Sequence, residues 1–323
     1  MNSDTPTRLA VTEEHAGKRL DRFLVDALPE LSRARARALL EGGQVRVNGR
    51  RMHKGDPLEV GAEVVITGAL PPQDFDPIAE DDASLRVIYE DADLVCFDKP
   101  AGLPTHPLRP EERGTLANVI AARYPETRGV GFHRREPGLM HRLDTDTSGV
   151  VLVARNAETF DALRLATREE KISKRYLALV EGAVAGEGTV EHPLVPHRKD
   201  PKRVEAVTEH VRLRAGTRTH PALTRYRVAR AFDGFTLLEV ELHAGYRHQV
   251  RVHLASVGHP LLGDALYRGP DVPVELEVTL GRHFLHASEV ILTHPRTGAE
   301  LRVVSPLPED LAVVLGRLRA AQA

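Results

Sequence analysis

The residues best equipped for chemistry lie in one short run, His141-Arg142-Leu143-Asp144-Thr145-Asp146-Thr147-Ser148-Gly149, which holds an imidazole, a guanidinium, two carboxylates and three hydroxyls. A carboxylate can serve as nucleophile or base without a metal or a nucleotide cofactor, and Asp144 is the best placed candidate. A free aspartate titrates near ~4. Burial raises that value and an adjacent guanidinium lowers it, so a buried, ionised Asp144 needs an arginine partner such as Arg251. An ordinary turn, with Asp144, Thr147 and Ser148 bonding backbone N–H groups and Gly149 at an unusual dihedral, accounts for one or two such residues. Seven polar groups exceed what a turn requires.

Directly after the run comes Val150-Val151-Leu152-Val153-Ala154, which predicts a buried strand and puts the polar loop at the edge of a core. Before it, residues 85–89 and 94–98 read as two β pieces in hairpin arrangement, ended by Lys99-Pro100-Ala101-Gly102, and 116–122 as a short helix. After it, Phe160, Leu163, Ala166 and Thr167 share one side of a helix, and 174–180 returns to strand character. Residues 182–216 are the least regular and contain a basic cluster, His197-Arg198-Lys199-Asp200-Pro201-Lys202-Arg203, that reads equally as a solvated loop or a phosphate contact. Strands at 223–229 and 235–242 lead to a helix whose Val250, Leu254 and Val257 form one face while Arg247 and Arg251 share another. An amphipathic helix over 306–320 closes the chain.

Its 323 residues, 41% of them apolar, suffice for a small domain plus a larger one. The formal net charge of -2 hides an asymmetry. Residues 18–54 carry ten Lys/Arg against four acids, whereas 55–98 carry twelve acids and Arg86 alone. A basic segment followed by an acidic one suggests a polyanion-binding module and a connector that does not bind. The single Cys96 excludes an intramolecular disulfide and a cysteine-built structural zinc site. With no apolar leader at the start and no membrane-length apolar run, a cytoplasmic protein is expected.

In the basic segment, Leu20, Phe23, Leu24, Ala27 and Leu28 repeat as a helix. Ser32 caps a second helix over 33–41, and Gly42-Gly43 stops it. A hairpin then turns at Asn48-Gly49, between 44–47 and Arg50-Arg51. Residues 1–14 are expected to be a polar tail and 69–84, with Pro71-Pro72, an extended acidic linker.

The pattern SRARARALLEGGQVRVNGRR, continued by Val60-Gly61 and Glu63-Val64-Val65-Ile66, resembles the S4 RNA-binding module. That resemblance implies RNA contacts by Arg33, Arg35, Arg37, Arg46, Arg50 and Arg51 within a module spanning 15–68. HRLDTDTSG, with VIYEDADLVCFDKPAGLPTHP before it and KRYLALVEG, HQVRVHLASVGHPLLGD and LHA after it, closely resembles the RluA-type pseudouridine synthases from Leu85 to Leu311. The implied fold is α+β, a small S4-type module joined to a catalytic domain over 85–323 with a mixed, mainly antiparallel sheet flanked by helices. The implied activity is an isomerase acting on specific uridines in structured RNA, large-subunit ribosomal RNA before transfer RNA, with no cofactor, no metal, no DNA or membrane partner, and a monomer as the default.

By the same resemblance Asp144 is the catalytic aspartate, attacking C1′ of the ribose or C6 of the uracil. Tyr176 stacks on the base and is a candidate to remove the later proton, and Arg251 pairs with the aspartate. Arg142 enters the RNA stack when the nucleotide flips out, Leu143 lines the pocket, and His141 stands beside them. His141, His248 and His253 read as hydrogen-bonded structural histidines before ligands. Where the family usually has Gly-Arg-Thr-His-Gln, this chain has Gly245-Tyr246-Arg247-His248-Gln249, which puts the RNA contact of Arg247 in question. The competing readings are a non-catalytic S4 protein associated with ribosomes and a glycosidase using Asp144 and Asp146 as a pair.

Overall fold

The computed structural model describes residues 6–28, 31, 33–53, 55–67, 74–213, 216–268 and 280–322, without the side chains of 33 and 34. The chain divides into two compact units between Phe75 and Asp76.

In the first unit, β1 (Thr7–Ala10), α1 (Leu20–Ala27), α2 (Arg33–Glu41), β2 (Val45–Val47) and β3 (Glu63–Ile66) follow in order. The sheet order is β1-β3-β2, antiparallel throughout. Leu20, Phe23 and Leu24, spaced to share one helix face, are buried with Ala36, Leu39, Val45, Val64 and Ile66. Two sequence expectations are corrected. The supposed polar tail contributes β1, because Arg8 and Ala10 alternate with half-buried Thr7 and Leu9 against β3. The Asn48-Gly49 turn forms, both residues at positive φ, but it returns only a single bridge between Val47 and Arg50. The ladder partner of β2 is the later β3. The Ser32 cap, the Arg33 side chain and Pro71-Pro72 lie outside the described residues.

The second unit starts inside the expected linker. Asp76 accepts from Arg128 and Arg134, and Asn118 donates to the Ile78 carbonyl, so 76–84 is fastened to this unit. Its elements are β4 (Arg86–Glu90), β5 (Leu94–Lys99), α3 (Leu116–Arg123), β6 (Ser148–Ala154), α4 (Ala157–Arg168), β7 (Ser173–Glu181), β8 (Glu187–Val190), β9 (Leu194–Pro196), β10 (Val204–Ala206), β11 (Thr224–Phe232), β12 (Phe235–Leu242), α5 (Gln249–Ser256), β13 (Leu285–Thr293), β14 (Glu300–Val304) and α6 (Glu309–Ala320). The main sheet runs β4-β5-β6-β13-β7-β12-β11-β8, with β14 beside β13, and β9 and β10 form a separate pair. Among the described residues β6 and β13 make its one parallel pairing, so the sheet is mixed and mainly antiparallel, as expected.

Every residue of β6 is buried. Val151 and Val153 face the core holding Phe97, Tyr176 and Val250, while Val150 and Leu152 face Phe160, Leu163 and Val290. A strand covered on both faces reads as a continuous apolar run, which is what 150–154 is. At its start the two parallel strands meet at Ser148–His286 and Gly149–Ala287. Gly149 has φ +123, and a Cβ there would lie 2.1 Å from the Ala287 carbonyl oxygen. Gly149→Ala is therefore expected to lower unfolding free energy by at least ~3 kcal/mol, measured by urea titration, through backbone strain and the broken seam.

Candidate active site

The run 141–149 enters β6 as a loop fixed from several sides. Lys99, fully buried at the end of β5, donates to the carbonyls of Pro100, Leu103 and Thr145 at 2.9, 2.7 and 2.9 Å. Burial pulls its pKa down to about 7, opposed by the charges of Asp144 and Asp146. Thr105 Oγ1 donates to the Leu143 carbonyl at 2.7 Å, and Gly102 N–H to the Thr145 carbonyl at 2.9 Å. From the far side Arg282, paired with Asp310, donates to the Asp146 carbonyl at 3.0 Å. Thr147 Oγ1 and Ser148 Oγ bond the rings of His283 and His286 at 2.8 and 3.0 Å. These partners leave little freedom to the peptide that carries Asp144.

Asp144 borders a cleft of about 510 Å³ lined also by His141, Arg142, Leu143, Tyr176, Arg247, His248 and Arg251. Arg251, on the first turn of α5, donates from Nη1 to Asp144 Oδ2 at 2.9 Å. Its Nε and Nη2 donate to the two oxygens of Asp264 at 2.7 and 2.8 Å, so one guanidinium joins two carboxylates. Burial pushes the Asp264 carboxyl up, but the Arg251 hydrogen bonds and charge hold it below its ordinary value. Burial also opposes the Arg251 charge, and Asp264 with Asp144 more than restores it. The Asp144 side chain is 23% exposed and that of Asp264 only 1%, which makes the first the carboxylate available to a ligand.

Tyr176 is buried on β7, opposite Val240 of β12. Burial and then the Asp144 charge raise its phenol pKa, so it holds its proton at neutral pH. Arg142 is exposed at the cleft and Leu143 buried beside it. His141 accepts from the Leu152 N–H through Nε2 at 3.1 Å, and burial with the Lys174 charge pulls its pKa down to about 3, a neutral structural imidazole as expected. Asp146 is exposed and, unlike Asp144, does not line the cleft.

Arg247 lines the cleft, but two of its N–H groups go to the carbonyls of Pro201 and Lys202 at 3.0 and 2.6 Å. It thereby anchors the basic loop 197–203, whose Arg198, Lys199 and Lys202 are exposed. In the first unit Arg46, Arg50 and Arg51 are exposed, Arg35 is half-buried, and Arg37 pairs with Glu41 at 2.6 Å. Lys99, Thr105, Asp264 and Arg282 are the contributors that motif reading left without a task. For Lys99 the one sequence signal was its place at the end of an apolar strand.

The family model described as RNA pseudouridylate synthase matches residues 93–256, and the S4 domain model matches 18–64. The chain belongs to the RNA pseudouridine synthases. It is an RluA-type isomerase with an N-terminal S4 domain, which sets aside the non-catalytic alternative. An uncharacterized RNA pseudouridine synthase of Chloroflexus aurantiacus is 37% identical over 96% of this chain and 93% of its own length. Ribosomal large subunit pseudouridine synthase D of Pseudomonas aeruginosa is 34% identical over 98% and 97%. Among solved structures, human RNA pseudouridylate synthase domain containing 4 is 28% identical with a TM-score of 0.54, covering 72% of this synthase and 92% of its own chain.

Replacing Lys99 of the synthase by Met keeps the volume but takes a donor from the carbonyls of Pro100 and Leu103 and leaves that of Thr145, in the Asp144 loop, with the Gly102 N–H. Lys99→Met is expected to cost ~2–4 kcal/mol of stability by urea unfolding. It should also lower kcat at least tenfold below the unfolding midpoint.

Proposed function

We propose that this synthase converts specific uridines of structured RNA, large-subunit ribosomal RNA before transfer RNA, with Asp144 as nucleophile. The observation that carries this reading is the state of that carboxylate. One oxygen is held by an arginine that a second, buried carboxylate locks in place, while the group as a whole stays partly open to the cleft. Attack at C1′ or at C6 requires an oriented carboxylate, and a fixed guanidinium supplies that orientation. Tyr176 offers a ring to stack on the uracil in the same cleft. Its raised pKa suits stacking in the resting site, and it can take the C5 proton only after its own has left. Arg142, exposed at the rim, is placed to fill the stack when the nucleotide turns out, a step that chemistry at C1′ and C5 demands.

The names of the relatives from Pseudomonas aeruginosa and Xylella fastidiosa, both ribosomal large subunit pseudouridine synthase D, support the preference for large-subunit RNA. The exposed Arg46, Arg50 and Arg51 support RNA affinity through phosphate contacts.

The decisive measurement is tritium release from uracil C5 in RNA taken from a strain lacking the gene. Asp144→Asn should cut release by more than about 10³-fold, and Asp146→Asn should stay within about threefold of the parent. Equal losses would revive the carboxylate pair, and pseudouridines missing from transfer RNA alone in that strain would overturn the ribosomal preference. Replacing Arg46, Arg50 and Arg51 together by Gln is expected to raise KM with kcat unchanged. It should flatten the salt dependence of binding by about one unit of slope per side chain that contacts phosphate.

A further inference from the structure

His248 precedes α5 with φ 56, a left-handed conformation that only Asn48, Glu111 and Glu170 share among the described non-glycine residues. Such a backbone costs free energy and draws attention to what the side chain gains. Its ring reaches in two directions. Nδ1 lies 2.8 Å from the hydroxyl of Tyr267, and Nε2 lies 3.8 Å from Asp144 Oδ1, the oxygen that Arg251 does not hold.

The Tyr267 hydroxyl accepts the Val204 N–H at 2.8 Å. Among the described residues His248 Nδ1 is the acceptor left for its own proton, and burial raises the phenol pKa so that the proton stays on oxygen. A ring that accepts at Nδ1 carries its hydrogen on Nε2, so an N–H is aimed at the cleft beside Asp144. At 3.8 Å it is too far to be consumed by the carboxylate. The groups facing the ring are Arg247 and Arg251 around the start of α5, Asp144 from the catalytic loop, and Asp264 and Tyr267 from the segment behind. Burial dominates them and brings the imidazole pKa down to about 4, so at neutral pH the ring is an uncharged donor that does not quench the nucleophile.

We propose that His248 is a further catalytic residue, donating its Nε2–H to a carbonyl oxygen of the target uracil while negative charge gathers on the ring. The inference rests on Asp144 being the nucleophile. In attack at C1′, a carboxylate oxygen forms a bond to C1′ and the C1′–N1 bond breaks with its electron pair passing to the uracil, where it spreads onto the carbonyls. In attack at C6, the same oxygen adds to C6 and the displaced pair moves through C5 onto a carbonyl. Either route builds an oxygen-centred charge next to Asp144, and the His248 proton stays on the ring throughout. A preorganised donor aimed at developing charge acts on kcat and leaves ground-state binding nearly untouched. Tyr267 is a positioning residue that fixes the tautomer.

The test uses tritium release from C5-labelled RNA by the full-length enzyme, with the melting temperature recorded for each variant. His248→Ala removes the donor, His248→Asn tolerates the left-handed backbone but is too short, and His248→Gln restores an N–H at similar reach. Ala and Asn should each lower kcat about 100-fold with KM within threefold, and Gln should recover at least tenfold of that loss. Tyr267→Phe should lower kcat in the parent and have little further effect in the His248→Ala background. A kcat within threefold in both Ala and Asn, a change confined to KM, or equal loss in Gln and Ala would overturn the proposal. If Asp144→Asn keeps its activity, the reading of Asp144 itself fails, and that result is separable because it does not involve His248.

Discussion

One guanidinium shared between two carboxylates governs this site. Arg251 is not a simple partner of Asp144, since among the described residues two of its three side-chain hydrogen bonds go to Asp264. Asp264 in turn takes the backbone N–H groups of Leu266 and Tyr267 at 3.0 and 3.3 Å, so the buried end of the chain of charges is tied to the backbone. An isolated pair buried this deeply gives little net stability, and its worth lies in fixed geometry. What reaches the cleft is a carboxylate whose orientation is set from behind. The same arrangement means that loss of Arg251 would leave Asp264 buried without its counter-charge, mixing a folding defect of about 3–5 kcal/mol with any catalytic one. Asp144, at the open end of the chain, is the member that can be replaced while Arg251 keeps both bonds to Asp264.

The rest of the catalytic unit is arranged to hold the peptide that bears this carboxylate. Its anchors come from both sides in sequence, Lys99 and Thr105 ahead of it and Arg282, His283 and His286 well over a hundred residues behind. They converge because β6 lies between β5 and β13. Antiparallel pairing with β5 delivers Lys99 to the start of β6, opposite Gly149, and the parallel step to β13 delivers His286 opposite Ser148. The loop is therefore ordered only when the centre of the sheet is complete, which couples the site to long-range folding.

How much of this the sequence disclosed follows from the kind of signal each residue leaves. Asp144 stood out because polar groups crowd a strand edge, Arg142 only through the resemblance of its motif, and 150–154 because a doubly covered strand is continuously apolar. Arg251 followed from the electrostatic need of a buried aspartate and from its motif. Strand β13 left no such trace: it is buried along almost its whole length yet includes His286, Glu289 and the half-buried Ser288, so neither alternation nor an apolar run marks it. β1 was hidden by its shortness and by charged neighbours, and the turn at Asn48-Gly49 was recognised while the partner of β2, fifteen or more residues on, was not. Asp264 left no trace, and Lys99 only its place at the end of an apolar strand, for a different reason. A buried charge satisfied by backbone or by one distant partner is written in three-dimensional space, not in local pattern.

The displaced arginine after Gly245 shows how a small change in the chain is absorbed without touching the chemistry. Tyr246 turns its ring onto His220, with centroids 4.3 Å apart and planes inclined by 22°, and its N–H bonds the Gln249 side chain that caps the approach to α5. Arg247 then extends to the carbonyls of Pro201 and Lys202, while Arg203 stands over the Tyr267 ring at 5.5 Å. The loop 197–203 is thus held by the same short segment that carries His248 and leads into Arg251. Arg198, Lys199 and Lys202 stand exposed on that tethered loop. Meanwhile α5 keeps its start, Arg251 keeps Asp264, and the carboxylate at the head of the cleft keeps its orientation.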